Sequence, residues 1–331
     1  MKTVPRDLES EAIANALSLH WGIDRVSLTY VPLGFGSHHW LASEPVGRKW
    51  FVTVDDLRTE HLGSSEAESY DNLSTAFRTA EALRDRAGLT WVTGPTATRA
   101  GDPIVRLTNR FSIAVFPYLD VEPTEFGEFR NLADRNEALH LIGQVHGATH
   151  VVPVDGLRRN TLEIPNRPDL LNALECLNEA WSAGPYSEPA RNLLREHGGT
   201  VRDKLRRFDD LASSVTDDTS GWVISHGEPH AGNVIRTRSG ELVIVDWDTV
   251  ACAPRERDLW MLVNESNRDW SAYRDETGIT SLSQPALDVY GLQWDLAEIA
   301  IYIAWCRGPH ERTEEMAIAW ESLQQYLSNR A

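Results

Sequence analysis

Between Ile224 and Asp248 the chain concentrates groups able to handle a phosphate, a proton and a hard cation. The run His226-Gly227-Glu228-Pro229-His230-Ala231-Gly232-Asn233 sets a carboxylate and an amide five positions apart, and a second carboxylate, Asp246, closes Leu242-Val243-Ile244-Val245. The Ser239-Gly240 pair after Val234–Arg236 predicts a hairpin turn, which folds Asp246 back toward Asn233. One proton acceptor, Glu228, then lies beside two oxygen ligands, Asn233 and Asp246. Phosphoryl transfer needs such a set, because Mg2+ bridges nucleotide phosphates through oxygen ligands while a carboxylate orients and deprotonates the attacking hydroxyl.

Other residues carry weaker signals. Gly34-Phe35-Gly36-Ser37 reads either as a simple turn or as a loop whose N–H groups, with Ser37, meet phosphates. His38 and His39 read first as exposed polar residues. Asp248 points to the opposite side from Asp246 if the strand continues, and serves either as a supporting group or as a loop cap. His226 and His230 have no third ligand at metal spacing, so hydrogen bonding within the loop is expected rather than zinc. Arg257 and Asp258 are expected to brace the loop, and His146 to be a packed, hydrogen-bonded histidine. Tryptophans at helical positions such as Trp294 and Trp305 read as core.

These groups need a folded scaffold. The chain has 331 residues, 41% of them hydrophobic, enough for one large domain or two moderate ones. A formal charge of -17 disfavours nucleic acid and anionic membranes; it suits a cationic substrate or simply solubility. The three cysteines, Cys176, Cys252 and Cys306, form no disulfide or zinc pattern. Met1 to His20 lacks the apolar core of a signal peptide, and Asp295 and Glu298 interrupt the apolar stretch Leu292–Trp305. A cytoplasmic protein is expected.

Periodicity divides the chain. Leu8–His20 predicts a helix; Val26–Val31, Trp40–Ala42 and Trp50–Val54 predict short strands. A helix from Glu66 to Arg86 and strands Ile104–Leu107 and Phe111–Phe116 follow. From Pro123 onward helices dominate: one containing Ala138, Leu141, Ile142 and Val145, then Leu170–Trp181 and Pro189–Leu211, the strand Trp222–Ile224, and about three more after Leu259. A small β-rich lobe (1–117) and a larger helical lobe (118–331), joined near Pro117-Tyr118-Leu119, are expected to leave a cleft for a ligand.

The segments His226-Gly227-Glu228-x-His230-x-Gly232-Asn233, Val245-Asp246-Trp247-Asp248 and Ala253-Pro254-Arg255-Glu256-Arg257-Asp258-Leu259 resemble the aminoglycoside phosphotransferase, kinase-like superfamily, nearest its spectinomycin phosphotransferase-like branch. Phe51-Val52, Phe116-Pro117-Tyr118 and Leu141-Ile142-Gly143-Gln144-Val145-His146 fall in the expected order, so the resemblance spans most of the chain. The protein-kinase catalytic loop shares the base-to-amide spacing. The resemblance implies an α+β, bilobal protein-kinase-like fold with a small antiparallel β N-lobe and a mainly helical C-lobe. It also implies Mg2+, ATP or GTP as donor, and a small hydroxyl-bearing acceptor, antibiotic-like or sugar-containing. Glu228 falls at the base, Asn233 and Asp246 at the metal ligands, and Gly34, Gly36, Ser37, Thr53, Tyr118 and Leu119 along the nucleotide. His226, His230, Asp248, Arg257 and Asp258 fall in support of the loop.

Two residues depart from the family pattern. Glu228 stands where the family usually has Asp, which lengthens the reach by one methylene. The third-strand lysine that pairs with phosphates falls on Thr53, with Lys49 or Arg78 the cations available to replace it. A metabolic sugar or amino-alcohol kinase is the alternative within enzymes. A nucleotide-binding pseudokinase is the alternative outside them, and monomer and homodimer both remain open.

Overall fold

The computed structural model describes residues 3–328 apart from 6, 35, 59–62, 122–126, 128, 155, 216–218 and 264–267. Phe35 of the glycine-rich loop and Pro123, where the helical part was expected to begin, lie outside the described residues. The chain forms two compact units, one of residues 1–160 with 221–281 and one of 161–220 with 282–331.

In the first unit, alternating side chains build a five-stranded antiparallel sheet. Its strands are β1 (Ser27–Val31), β2 (Ser37–Ser43), β3 (Lys49–Asp56), β4 (Ile104–Arg106) and β5 (Phe111–Pro117), ordered β1-β2-β3-β5-β4. One face carries Trp40, Ala42, Val52, Val54, Phe111, Ile113 and Val115, packed with Ile13, Leu17 and Ile23. Those last come from α1 (Ser10–Ala16), the π-helical turn Leu17–Trp21 that extends it, and the segment beyond Gly22. Period-two alternation puts Ser37, His39, Thr53, Asp55 and Ser112 on the other face. Ser37 lies opposite Asp55 and Asp55 opposite Ser112; His39 lies opposite Thr53 and Thr53 opposite Ala114.

The helix α2 (Glu66–Asp85) starts where Ser65 accepts the Glu68 N–H (3.2 Å), a side-chain N-cap, and buries Leu73, Phe77, Ala80 and Leu83. The segment after it meets the motif-bearing hairpin, because Ile244 N–H donates to Trp91 O (3.2 Å) and Thr93 N–H to Ile244 O (3.0 Å). The helix α3 (Leu132–Gly147) is capped by Asn131, which accepts the Asp134 N–H at 2.8 Å.

The second unit holds α4 (Arg167–Glu175) and α5 (Ser187–Val215). The helix expected to run to Trp181 stops at Glu175. Arginines of α5 take carbonyls at and just beyond its end: Arg202 donates to Leu174 O, and Arg191 and Arg195 both donate to Leu177 O, each at 2.7 Å. Side-chain donors satisfy the free helix-end carbonyls in place of another turn.

The chain returns to the first unit through β6 (Val223–Ser225), β7 (Val234–Arg236), β8 (Leu242–Ile244) and β9 (Ala251–Ala253), with β6 paired to β9 and β7 to β8. Three-residue β9, Ala-Cys-Ala, has too little pattern to be read from sequence. Then come α6 (Glu256–Leu262) and α7 (Ser271–Thr277), and in the second unit α8 (Gln284–Arg307) and α9 (Glu314–Ser328). The fold is α+β. No helix among the described residues is long and apolar enough to cross a membrane.

Trp40 is 2% exposed at the centre of the sheet core. Trp40→Ala should lower unfolding free energy by about 3–5 kcal/mol in urea titration, through lost burial and the cavity left behind.

Candidate active site

Asp258, on the first turn of α6, fixes the loop that carries Glu228. Its fully buried carboxylate accepts four hydrogen bonds, from Ser225 Oγ (2.7 Å), His226 N–H (2.9 Å), Gly227 N–H (2.6 Å) and His146 Nε2 (3.0 Å). Burial alone would raise this carboxyl. The hydrogen bond from His146, with the nearby His146, Arg257 and His226 side chains, instead holds it well below the usual carboxylate range. The Tyr273 hydroxyl meets His146 Nδ1 at 2.8 Å on the far side. Arg257 adds bonds to Ser225 Oγ (3.1 Å) and Thr249 O (2.9 Å). Gly227 has a φ of 105°, and a Cβ there would lie 2.4 Å from Arg257 Nη2, so the position needs glycine on two counts.

The two loop histidines hold the chain's curvature. His226 donates Nε2–H to Val245 O (2.8 Å) and accepts the Glu228 N–H at Nδ1 (3.2 Å), which ties Glu228 to the strand end before Asp246. Burial lowers its pKa, in keeping with that neutral tautomer. His230 accepts the Gly232 N–H at Nδ1 (3.1 Å). Burial brings it down to about 4, so its 3.9 Å approach to Glu228 Oε2 is that of a neutral ring near pH 7 rather than an ion pair. Asn233 spends its Nδ2 on Glu228 O (3.1 Å), leaving its carbonyl oxygen as the group able to ligate a cation.

Asp246 breaks the expected alternation. The strand ends at Ile244 and Asp246 adopts a φ of 67°, a conformation rare outside glycine and characteristic of functional sites. Asp248 therefore does not turn away; its charge acts directly on Asp246. Asp246 itself is exposed. Enclosure by the surrounding protein, then the charges of Asp248 and Glu228, raise its carboxyl well above the usual range.

The oxygen-rich set Asn233 and Asp246 fits a hard cation, which would relieve the crowding of Asp246, Asp248 and Glu228. Among the described residues no group of three His, Cys, Asp or Glu is arranged to hold a metal.

The sheet face bearing Thr53 adds polar groups. Ser37 Oγ donates to Asp55 Oδ1 (2.6 Å), and burial, with the Asp248 charge, pushes Asp55 up to about 7 against the effect of that bond. Thr53 Oγ1, His39 Nδ1, Asp55 Oδ2 and Ser112 Oγ are buried without hydrogen-bond partners among the described residues. His38 and His39, expected to be exposed, are instead enclosed: His38 is 6% exposed, and burial lowers His39 to about 4. Gly34 and Gly36 take φ values of 58° and 99° between β1 and β2, conformations that favour glycine. Tyr118 and Leu119 follow β5, with Lys49 Nζ 5.1 Å above the Tyr118 ring. Arg78 pairs with Asp102 at 2.7 Å.

Residues 28–299 match the phosphotransferase enzyme family, APH. The chain belongs to this family. It is a phosphotransferase acting on hydroxyl groups. Over 315 residues it is 29% identical to Protein StrN of Streptomyces griseus, covering 91% of this chain and 86% of that protein. Spectinomycin phosphotransferase, solved with ADP and spectinomycin, superposes with a TM-score of 0.74 at 16% identity, over 97% of this chain and 95% of that one. A microcompartment-associated aminopropanol kinase gives 0.59 at 14%, over 96% and 95%. At these identities the structural likeness is one of fold, the kinase-like α+β fold.

In this phosphotransferase one cation near Glu228 carries no sequence signal. Arg158 follows an irregular stretch, and only the backbone reveals its place. Its carbonyl accepts the Cys252 N–H (2.8 Å), and Asn160 N–H donates to Cys252 O (3.0 Å), laying this segment along β9. Its Nη2 is 3.5 Å from Asp248 O, and its guanidinium is within electrostatic reach of Asp248 and Glu228. Burial, then the Arg257 charge, lowers its pKa.

A carboxyl held below its unfolded value stabilises the fold above that value and loses the contribution as pH falls toward its folded value. The stability gap between the wild type and Asp258→Asn should therefore be constant above about pH 5 and narrow below about pH 4, as read by denaturant titration at each pH.

Proposed function

We propose that this phosphotransferase moves the γ-phosphate of ATP or GTP to a hydroxyl of an antibiotic-like or sugar-containing small molecule, inactivating it as a resistance enzyme would. The observation that carries the reading is the placement of Glu228: His226 ties its N–H, and Asn233 its carbonyl, to the turn that presents Asp246. Spectinomycin phosphotransferase, of similar fold, was solved with ADP and its antibiotic, and another relative with GDP and kanamycin, which supports a nucleotide donor and a polyhydroxylated acceptor. The aminopropanol kinase favours a second reading, an amino alcohol as acceptor. In both, residues 1–117 form the nucleotide-binding lobe and 118–331 the catalytic and acceptor lobe.

In this mechanism Glu228 accepts the proton of the attacking hydroxyl, and its added methylene is accommodated by the hydrogen bonds that fix the loop. Asn233 and Asp246 would hold Mg2+, which supplies charge neutralisation at the phosphates. Gly34 and Gly36 from the loop before β2, and Ser37 at its start, would face the nucleotide, with Thr53 on β3 and Tyr118 and Leu119 after β5. Asp248, Arg257, Asp258, His226 and His230 keep the loop in place. Arg158 brings positive charge to the carboxylate cluster that no third-strand lysine serves.

Glu228→Gln should keep nucleotide affinity and lose ~10²-fold or more in turnover, the range for removing a general base; Glu228→Asp should retain partial activity. Steady-state kinetics on an acceptor found by screening antibiotics, sugars and amino alcohols checks this, and undiminished turnover in Glu228→Gln would remove the proposed base.

Asp246→Ala should abolish turnover while leaving the denaturation midpoint near that of the wild type. Near wild-type rates at saturating Mg2+ would overturn its ligand role. Nucleotide binding without turnover on any acceptor would instead favour a pseudokinase.

A further inference from the structure

Apart from the active site, the first unit contains a cavity of ≈ 530 Å³ lined by residues of α3 and α7, β6 and the segment after α2. Its walls are mixed. Leu89, Val151, Val223 and Ile279 supply apolar surface, while Arg255 and Glu276 supply opposite charges. The partly buried Arg255 guanidinium makes no hydrogen bond or ion pair among the described residues. Glu276 stands toward solvent, its stem against Gly143 and its carboxylate 3.1 Å from His140 Nδ1. An unengaged guanidinium favours a carboxylate, which it can meet with two parallel hydrogen bonds. A carboxylate elsewhere on the same wall favours an ammonium.

The cavity also borders the network that holds the catalytic loop. Tyr273 and His146 both line it. Tyr273 bonds His146, His146 bonds Asp258, and Asp258 holds the N–H groups of His226 and Gly227. A molecule resting on Tyr273 is thus separated from the loop by a short chain of hydrogen bonds.

We infer that this cavity binds a small zwitterion of the free α-amino-acid class, its carboxylate on Arg255 and its ammonium on Glu276, and that occupancy is transmitted to the catalytic loop through Tyr273, His146 and Asp258. The binding half stands apart from the phosphotransferase mechanism; the transmission half rests on it.

Calorimetric titration of the full chain, saturated with a non-hydrolysable ATP analogue, against each free proteinogenic amino acid tests the binding half. At least one should bind, and its deaminated acid and decarboxylated amine should each bind ~10-fold or more weakly, as expected when a charge-assisted hydrogen bond is lost. Arg255→Gln should weaken binding by a similar factor, Arg255→Lys should retain most of it, and nucleotide affinity should be unchanged in both, which reports an intact fold. If Arg255→Gln fails to fold, Glu276→Gln with the amine-deleted analogue carries the same test. No binding by any amino acid at about 10 mM, equal binding to Arg255→Gln, or displacement by nucleotide would each overturn the site. For transmission, the bound amino acid should change wild-type turnover and leave Tyr273→Phe turnover unaffected while still binding it; equal effects on both overturn that half.

Discussion

A carboxylate cannot remain ionised inside a protein unless donors replace the water it has lost. Asp258 is such a carboxylate, and its four donors include two consecutive backbone N–H groups of the loop that carries Glu228. The requirement works in both directions. The carboxylate needs the loop to stay charged, and the loop has few other ways to satisfy its amides in a segment that is neither helix nor strand. Ser225, His226, Gly227, Arg257 and Thr249 are arranged around that exchange, and the absence of a Cβ at Gly227 leaves room for Arg257.

The rest of the site follows from charge. Glu228, Asp246 and Asp248 crowd together, and Asp55 approaches them from the sheet. Like charges at close range raise one another's proton affinity unless cations intervene. Among the nearby side chains Arg158 supplies positive charge, while Lys49 rests on Tyr118 and Arg78 pairs with Asp102. A triphosphate carries its own divalent cation into a site of this kind, so the acidity is compatible with nucleotide once that cation arrives with it. Thr53 Oγ1 and His39 Nδ1, buried without hydrogen-bond partners among the described residues, lie on the same sheet face as Asp55.

Hydrophobic alternation and helical stripes, which are local properties, determined a small β-rich part followed by a mainly helical one, and the resemblance of the motifs implied the kinase-like α+β fold. They also singled out Glu228, Asn233 and Asp246, since a loop, a hairpin and a terminal carboxylate are contiguous in the chain. Tertiary structure decided what depends on distant partners. Asp248 lies beside Asp246 because a backbone φ of 67° ends the alternation that a strand would have continued. His38 is enclosed beside Trp40 and Phe111, and His39 stacks on Phe51, while α4 ends where arginines of α5 take the carbonyls of Leu174 and Leu177. Arg158, more than sixty residues from Glu228 in sequence, reaches the site only through backbone pairing with β9. No short-range pattern encodes such a meeting, since it is the folded backbone that sets both the distance and the direction of approach.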